Sequence, residues 1–231
     1  MRYYETLMLL VATSGLVKAS HSNASTPSVQ VPACPIKGTI TYTKSVPSQT
    51  DDFALTQVDL CYTANSLSLT LTAYNETNFY FDASQEINDD IWEYEVMEAF
   101  IYQGTDDPQT YLEFEINPNN VTYQAFVFNP TKTRADGAPF DHFFVSDPKT
   151  DGFKAATILN RPAKIWTSEV SIPLALFNVD DGAALGTEWR MQFLRTITSP
   201  DTYPGQELGA WSPPNEANFH ITKYMGHAVF I

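Results

Sequence analysis

The stretch DDIWEYEVMEAFI, from Asp89 to Ile101, sets five carboxylates beside one tryptophan and one tyrosine within thirteen positions. An indole plate covers the apolar face of a ring, and acids next to it accept hydrogen bonds from hydroxyl groups. Trp92 with its neighbouring acids therefore has the composition of a site for a polyhydroxylated ring. The same residues also suit a half-buried strand edge with an acidic solvent face, and composition alone leaves both open. Trp166 (KIWTSEVSIP) and Trp189 (TEWRMQFLR) lie inside strand patterns and read as core, whereas Trp211 lies beside loop-like sequence. Glu93 and Glu95 read as solvent charges.

Signals for bond-breaking chemistry are weak. The chain has no G-x-S-x-G elbow. Its four histidines, His21, His142, His220 and His227, lack H-E-x-x-H spacing. His220 reads as a structural or rim residue. Two carboxylates such as Glu98 and Glu115 could form a glycosidase pair, but acid pairs are common on an acidic chain. No catalytic residue is nominated. The acid pairs Asp51-Asp52, Asp89-Asp90, Asp106-Asp107 and Asp180-Asp181, with Asp82, fall at expected loops. Their hard oxygen donors suit Ca²⁺, though none forms an EF-hand loop, and no metal ligands are assigned.

Strands must position these side chains. Ser66–Tyr74 (SLSLTLTAY) puts Leu67, Leu69 and Leu71 on one face and Ser66, Ser68, Thr70 and Thr72 on the other. Similar patterns cover 38–46, 52–62, 95–102, 111–117, 121–128, 153–159, 163–172, 189–196 and 228–231. Pro118-Asn119-Asn120 and Asn160-Arg161-Pro162 read as hairpin turns. Pro173–Phe177 reads as one helical turn with proline at its start. About ten short strands and 15 prolines predict an all-β fold, an antiparallel β-sandwich, with a closed barrel as the alternative.

The ends and the charge bound the setting. Residues 1–19 carry Arg2, an apolar run from Leu7 to Val17, and Val17-Lys18-Ala19, the pattern of a cleaved signal peptide. Cys34 and Cys61 are expected to pair in an oxidising compartment. Asn23, Asn75 and Asn120 begin N-glycosylation sequons. Residues 20–37 are expected to be a flexible N-terminal segment and 38–231 the domain. Without residues 1–19 the chain keeps 11 basic and 26 acidic side chains, a net charge of −15. That charge repels nucleic acid and anionic membranes and leaves neutral or cationic ligands. The expectation is a secreted, extracellular glycoprotein acting as a monomer.

Three ordered segments carry a resemblance. They are Asp90-Ile91-Trp92 with Val96–Ile101, then Trp166–Phe177, then Trp189–Arg195 continued by Ala210-Trp211-Ser212-Pro213, Asn218-Phe219-His220 and Tyr224-Met225-Gly226. Together they resemble family 9 carbohydrate-binding modules across residues 38–231. The resemblance implies a jelly-roll-like sandwich that binds a polysaccharide or oligosaccharide without cleaving it, with no cofactor needed for chemistry and with structural calcium. It implies Trp92 as one plate of a tryptophan sandwich, Glu98 as an acidic contact and Gln192 as an amide contact. The second plate falls at Phe219. Glu115 stands where the family has a basic contact, and Glu216 stands where it has an asparagine. Two alternatives accompany this reading. One is a sandwich repurposed for protein interaction. The other is a haem-binding electron-transfer domain drawing axial ligands from Met97, Met191, Met225, His142, His220 and His227.

Overall fold

The computed structural model describes residues 26–231. Asn23 and the expected signal peptide at 1–19 lie outside them. The strands are β1 Ser28–Val31, β2 Gly38–Tyr42, β3 Ser45–Val46, β4 Thr56–Tyr62, β5 Ser66–Tyr74, β6 Val96–Gln103 and β7 Thr110–Ile116. They continue as β8 Thr122–Phe128, β9 Asp141–Phe144, β10 Lys154–Asn160, β11 Ile165–Pro173, β12 Glu188–Ile197, β13 Glu207–Ala210 and β14 Gly226–Phe230. One sheet runs β10-β11-β5-β4-β2. The other runs β1-β14-β12-β6-β7-β8-β9, with β13 beside β12 and β3 beside β13. The chain is thus a two-sheet β-sandwich, antiparallel except where β1 lies parallel to β14.

Period-two alternation builds the layer between the sheets. Leu67, Leu69 and Leu71 of β5 point inward and are buried, and Ser66, Ser68 and Thr70 between them are partly open. From the facing sheet come Met97, Ala99 and Ile101 of β6 and Leu112, Phe114 and Ile116 of β7. Trp166 and Trp189 are fully buried in this core, as their strand context predicts. Trp211 packs against it, with its ring 5.9 Å from that of Phe193. Gly226 allows this approach, because a Cβ there would fall within 2.4 Å of the indole.

The same alternation sends Glu98 and Phe100 of β6, and Tyr111, Glu113 and Glu115 of β7, to the other face of the nine-stranded sheet. Loops cover that face and make a second, smaller core of Phe100, Tyr111, Val127, Leu194, Ala210 and Met225. The second core is what lets this outer face carry a sheltered cleft.

Both predicted hairpin turns are present. Asn117 accepts the backbone N–H groups of Asn119 and Val121 through Oδ1, and Asn120 takes the left-handed conformation at φ 60°. Pro173 precedes a 3-10 turn at Leu174–Phe177. Part of the segment expected to be flexible is ordered: Ser28–Val31 is strand β1, which pairs with β14 and sends Val31 into the core. Its Ser/Thr-rich composition hides a strand that a parallel partner and a disulfide hold. Cys34 is bonded to Cys61 of β4.

That bond closes a loop of 27 residues' separation. Chain-entropy reasoning gives such a crosslink about 3 kcal/mol. Cys34→Ala/Cys61→Ala is expected to lower unfolding free energy in urea by about 2–4 kcal/mol. Unchanged stability would show that β1 is held by β14 alone.

Candidate functional site

Two cross-strand rows define the floor of a cleft of about 610 Å³. In one row Glu98 of β6 sits opposite Glu115 of β7, which sits opposite Tyr123 of β8. In the next, Glu113 lies opposite Ala125, which lies opposite Phe144 of β9. Side chains directly opposite on antiparallel strands share a face, so Glu98, Glu113 and Glu115 converge. One carboxylate oxygen from each lies within 4.8 Å of those from the other two. None of the three is more than 4% exposed.

Burial and a neighbouring like charge disfavour ionisation of a carboxyl group. Burial, then the neighbouring Glu113, pushes Glu98 well above the usual carboxylate range. Burial, then Glu98, Glu113 and Asp90, does the same to Glu115. Glu115 Oε2 is buried with no hydrogen-bond partner. Imidazoles face Glu113 on both sides: His142 Nε2 lies 3.5 Å from one oxygen and His220 Nε2 lies 3.7 Å from the other. Burial holds His220 down at about 4, so it is neutral at pH 7. Its Nδ1 lies 2.7 Å from the Tyr111 hydroxyl. With that hydroxyl donating to Nδ1, Nε2 carries the proton and directs it at Glu113. His220 is stacked on Phe100 at 5.1 Å and edged by Phe140 at 4.9 Å, which fixes its ring.

Trp92 stands at the mouth of this floor on a 3-10 turn, Ile91–Glu93, and is 47% exposed. Its Nε1–H donates to Asp90 Oδ1 at 3.3 Å, and its carbonyl accepts from Gln206 Nε2 at 2.7 Å. The loop that carries it is anchored from behind. Arg195 of β12 is fully buried and donates to Glu76 at 2.8 Å. Glu76 in turn accepts the backbone N–H groups of Asn78 and Phe79. Glu95 accepts from the Tyr80 N–H at 2.7 Å. Glu95 is therefore not the solvent charge expected. It is fully buried, and burial with the nearby Glu76 charge raises it to about 8.

The sequence-nominated residues divide into two groups. Trp92, Glu98, Glu115 and Phe219 all line the cleft. Gln192 and Glu216 do not. Gln192 is buried and exchanges two hydrogen bonds with the Ser212 backbone, so it braces the loop that leads to Phe219. Glu216 is exposed beside the cleft-lining Ala217. Sequence reasoning missed Glu113, although it lies two residues before Glu115 on the same strand face. It also missed Tyr123, Arg134, His142 and Phe144 as lining residues. Phe144 is 49% exposed and offers another ring at the cleft. Met97, Met191 and Met225 are packed in the two apolar cores, and none lines the cleft.

The expected loop aspartates do not gather into a cation site among the described residues. Asp82 accepts from the Ser84 N–H and hydroxyl, and Asp52 accepts from Thr50. Among the described residues the one close group of three acids is the glutamate floor, whose oxygens are the right donor type for a hard cation. A second groove, about 450 Å³, lies over the five-stranded sheet between Lys37, Thr70, Lys154 and Glu169. It has no aromatic wall.

The glutamate floor makes a stability prediction. A carboxyl whose folded value is raised keeps its proton in the folded chain after the unfolded chain has released one. It therefore favours folding below about 4.5 and opposes it as pH rises. Glu115→Gln is expected to match the parent near pH 4 and to melt higher at pH 8, by about 2–4 °C per kcal/mol recovered. A lower melting temperature at pH 8 would contradict a strained floor.

No family model matches the chain. In structure it is similar to a candidate carbohydrate-binding protein from Bacteroides uniformis, with a TM-score of 0.66 and 16% identity over 90% of this chain and 100% of that one. It is also similar to a family 9 carbohydrate-binding module from Caldicellulosiruptor kristjanssonii. In complex with cellotriose that module gives 0.59 and 12% identity, over 88% of this chain and 93% of that one. In complex with glucose it gives 0.57 and 13%, over 88% and 95%. These likenesses establish the family 9 module fold. In sequence the chain is 54% identical to a protein of Arthroderma benhamiae described as an extracellular protein, over 97% of this chain and 98% of that one. No helix among the described residues is long and apolar enough to cross a membrane. The chain thus belongs to the family of that Arthroderma protein, an extracellular β-sandwich with the fold of family 9 carbohydrate-binding modules.

Proposed function

We propose that this extracellular domain binds a saccharide in the Trp92 cleft and does not cleave it. One observation carries the reading: a half-exposed indole, fixed by Asp90 and Gln206, stands over a floor of hydrogen-bond acceptors. A sugar ring has apolar C–H faces edged by hydroxyl groups and matches both features. Trp92 supplies the stacking face, with Phe219 and Phe144 as further rings. Glu98 and Glu115 accept hydroxyl hydrogen bonds. Gln192 positions the Phe219 loop, and Glu216 stays at the rim. The fold shared with modules solved with cellotriose and glucose supports the ligand class.

Binding is favoured over hydrolysis by the placement of the acids. A glycosidase needs its carboxyl groups flanking the scissile bond. Glu98 and Glu115 are direct cross-strand partners on one sheet face and lie side by side under the cleft. The exposed sequon residues Asn75 and Asn120 are open to glycosylation, with Asn23 as a third acceptor, and the chain is expected to work as a monomer after loss of residues 1–19.

The test is binding of the secreted chain to a panel of polysaccharides and oligosaccharides, beside Trp92→Ala. Saturable binding to at least one glycan is expected. The variant should bind at least tenfold more weakly, a loss of about 1.4 kcal/mol. Full affinity in Trp92→Ala would remove the cleft from the reading. No binding to any glycan would favour a sandwich repurposed for protein interaction.

A further inference from the structure

The cleft holds more carboxyl groups than a neutral sugar requires. Asp90, Glu98, Glu113, Glu115 and Asp136 line it, against the single guanidinium of Arg134. That guanidinium lies over the Phe140 ring at 4.6 Å. The acidic floor alone would be no more than a cluster. A separate feature points to a ligand: Glu115 lines the cleft, is 1% exposed, and its Oε2 is buried with no hydrogen-bond partner. A buried acceptor left unpaired is costly, and it is satisfied when a donor enters.

We infer that the cleft takes an amino sugar with a free, protonated amine, its ring on Trp92 and its ammonium on the Glu98–Glu113–Glu115 floor. This rests on the saccharide reading above and narrows it. An ammonium carries three N–H donors and a positive charge, so it favours the carboxylate forms of Glu98 and Glu115 that burial and like charge otherwise disfavour. Hydrogen bonds from a charged donor to a carboxylate are roughly twice as strong as neutral ones. An acetylated amine loses the charge that would draw Glu98 and Glu115 into their carboxylate forms, and it adds bulk on the nitrogen. A divalent cation is the competing occupant. Calcium, the hard cation that an all-oxygen floor suits, takes six to eight oxygens about one point. Both Glu113 oxygens already face imidazoles. Three acceptors suffice for an amine, and the open aromatic mouth is of use only to an organic ligand.

The test is calorimetry on the secreted chain at pH 6. The ligands are glucosamine and galactosamine, a β-1,4 glucosamine tetramer, its fully N-acetylated counterpart and cellotetraose. Calcium, manganese and zinc ions are titrated alone. Free-amine ligands are expected to bind at least tenfold tighter than the acetylated and neutral ones. Glu115→Gln and, separately, Glu98→Gln should reduce that preference to under about threefold, whereas Trp92→Ala should weaken all sugars alike. If acetylated or neutral sugars bind as well or better, the amine inference fails and the saccharide reading stands. If no sugar binds, both fail. If a metal ion alone binds tightly and Glu115→Gln abolishes it, the floor is a metal site and the inference is overturned.

Discussion

Three glutamates on two neighbouring strands share a floor from which water is nearly excluded, and the cleft is built around that cost. Like charges directly opposite on a sheet repel, and burial raises the price of each. Interiors ordinarily answer a buried acid with a cation. Arg195 does this for Glu76 at 2.8 Å in the same protein. The floor has no such partner among the described residues. It has two imidazoles at Glu113, one of them neutral at pH 7, and one carboxylate oxygen with nothing bound to it.

The sandwich supplies the two conditions that such a floor needs. The inter-sheet core is filled by the other face of the same strands, so Glu98, Glu113 and Glu115 can sit outside it without leaving a void. The loops over the nine-stranded sheet then form a second apolar layer around Phe100 and Tyr111, which holds His220 in place. Behind the mouth, the Arg195–Glu76 pair and the Glu95–Tyr80 contact tie down the loop that presents Trp92. Stability and site geometry are separated by strand face, with β6 and β7 contributing to both.

Where a residue's partner is close in sequence, its role was legible. The alternation of SLSLTLTAY describes β5 as far as Leu71, after which Thr72 is buried as well, and Trp166 and Trp189 sit in the core as their strand patterns require. Trp92 and Glu98, which the family resemblance marks together, both line the cleft. Where the partner is distant, the reading failed. Nothing local to Gln192 tells that its amide is taken by the Ser212 backbone, and nothing near Glu95 tells that a loop will close over it. Strands β1 and β9 escaped for the same reason: each is four residues long and exists through its sheet neighbour. Glu113 was the avoidable omission, since two-residue spacing from Glu115 places it on the same face.

The most direct measurement follows the side-chain carboxyl carbons of Glu98, Glu113 and Glu115 by NMR while the tightest-binding glycan is titrated in. The predicted result is that these three resonances and the Trp92 indole N–H move together, saturating at the concentration that the binding curve gives. Glycan binding that leaves them in place, and instead moves Lys37 and Lys154 across the other sheet, would put the site elsewhere and contradict the role assigned to the glutamate floor.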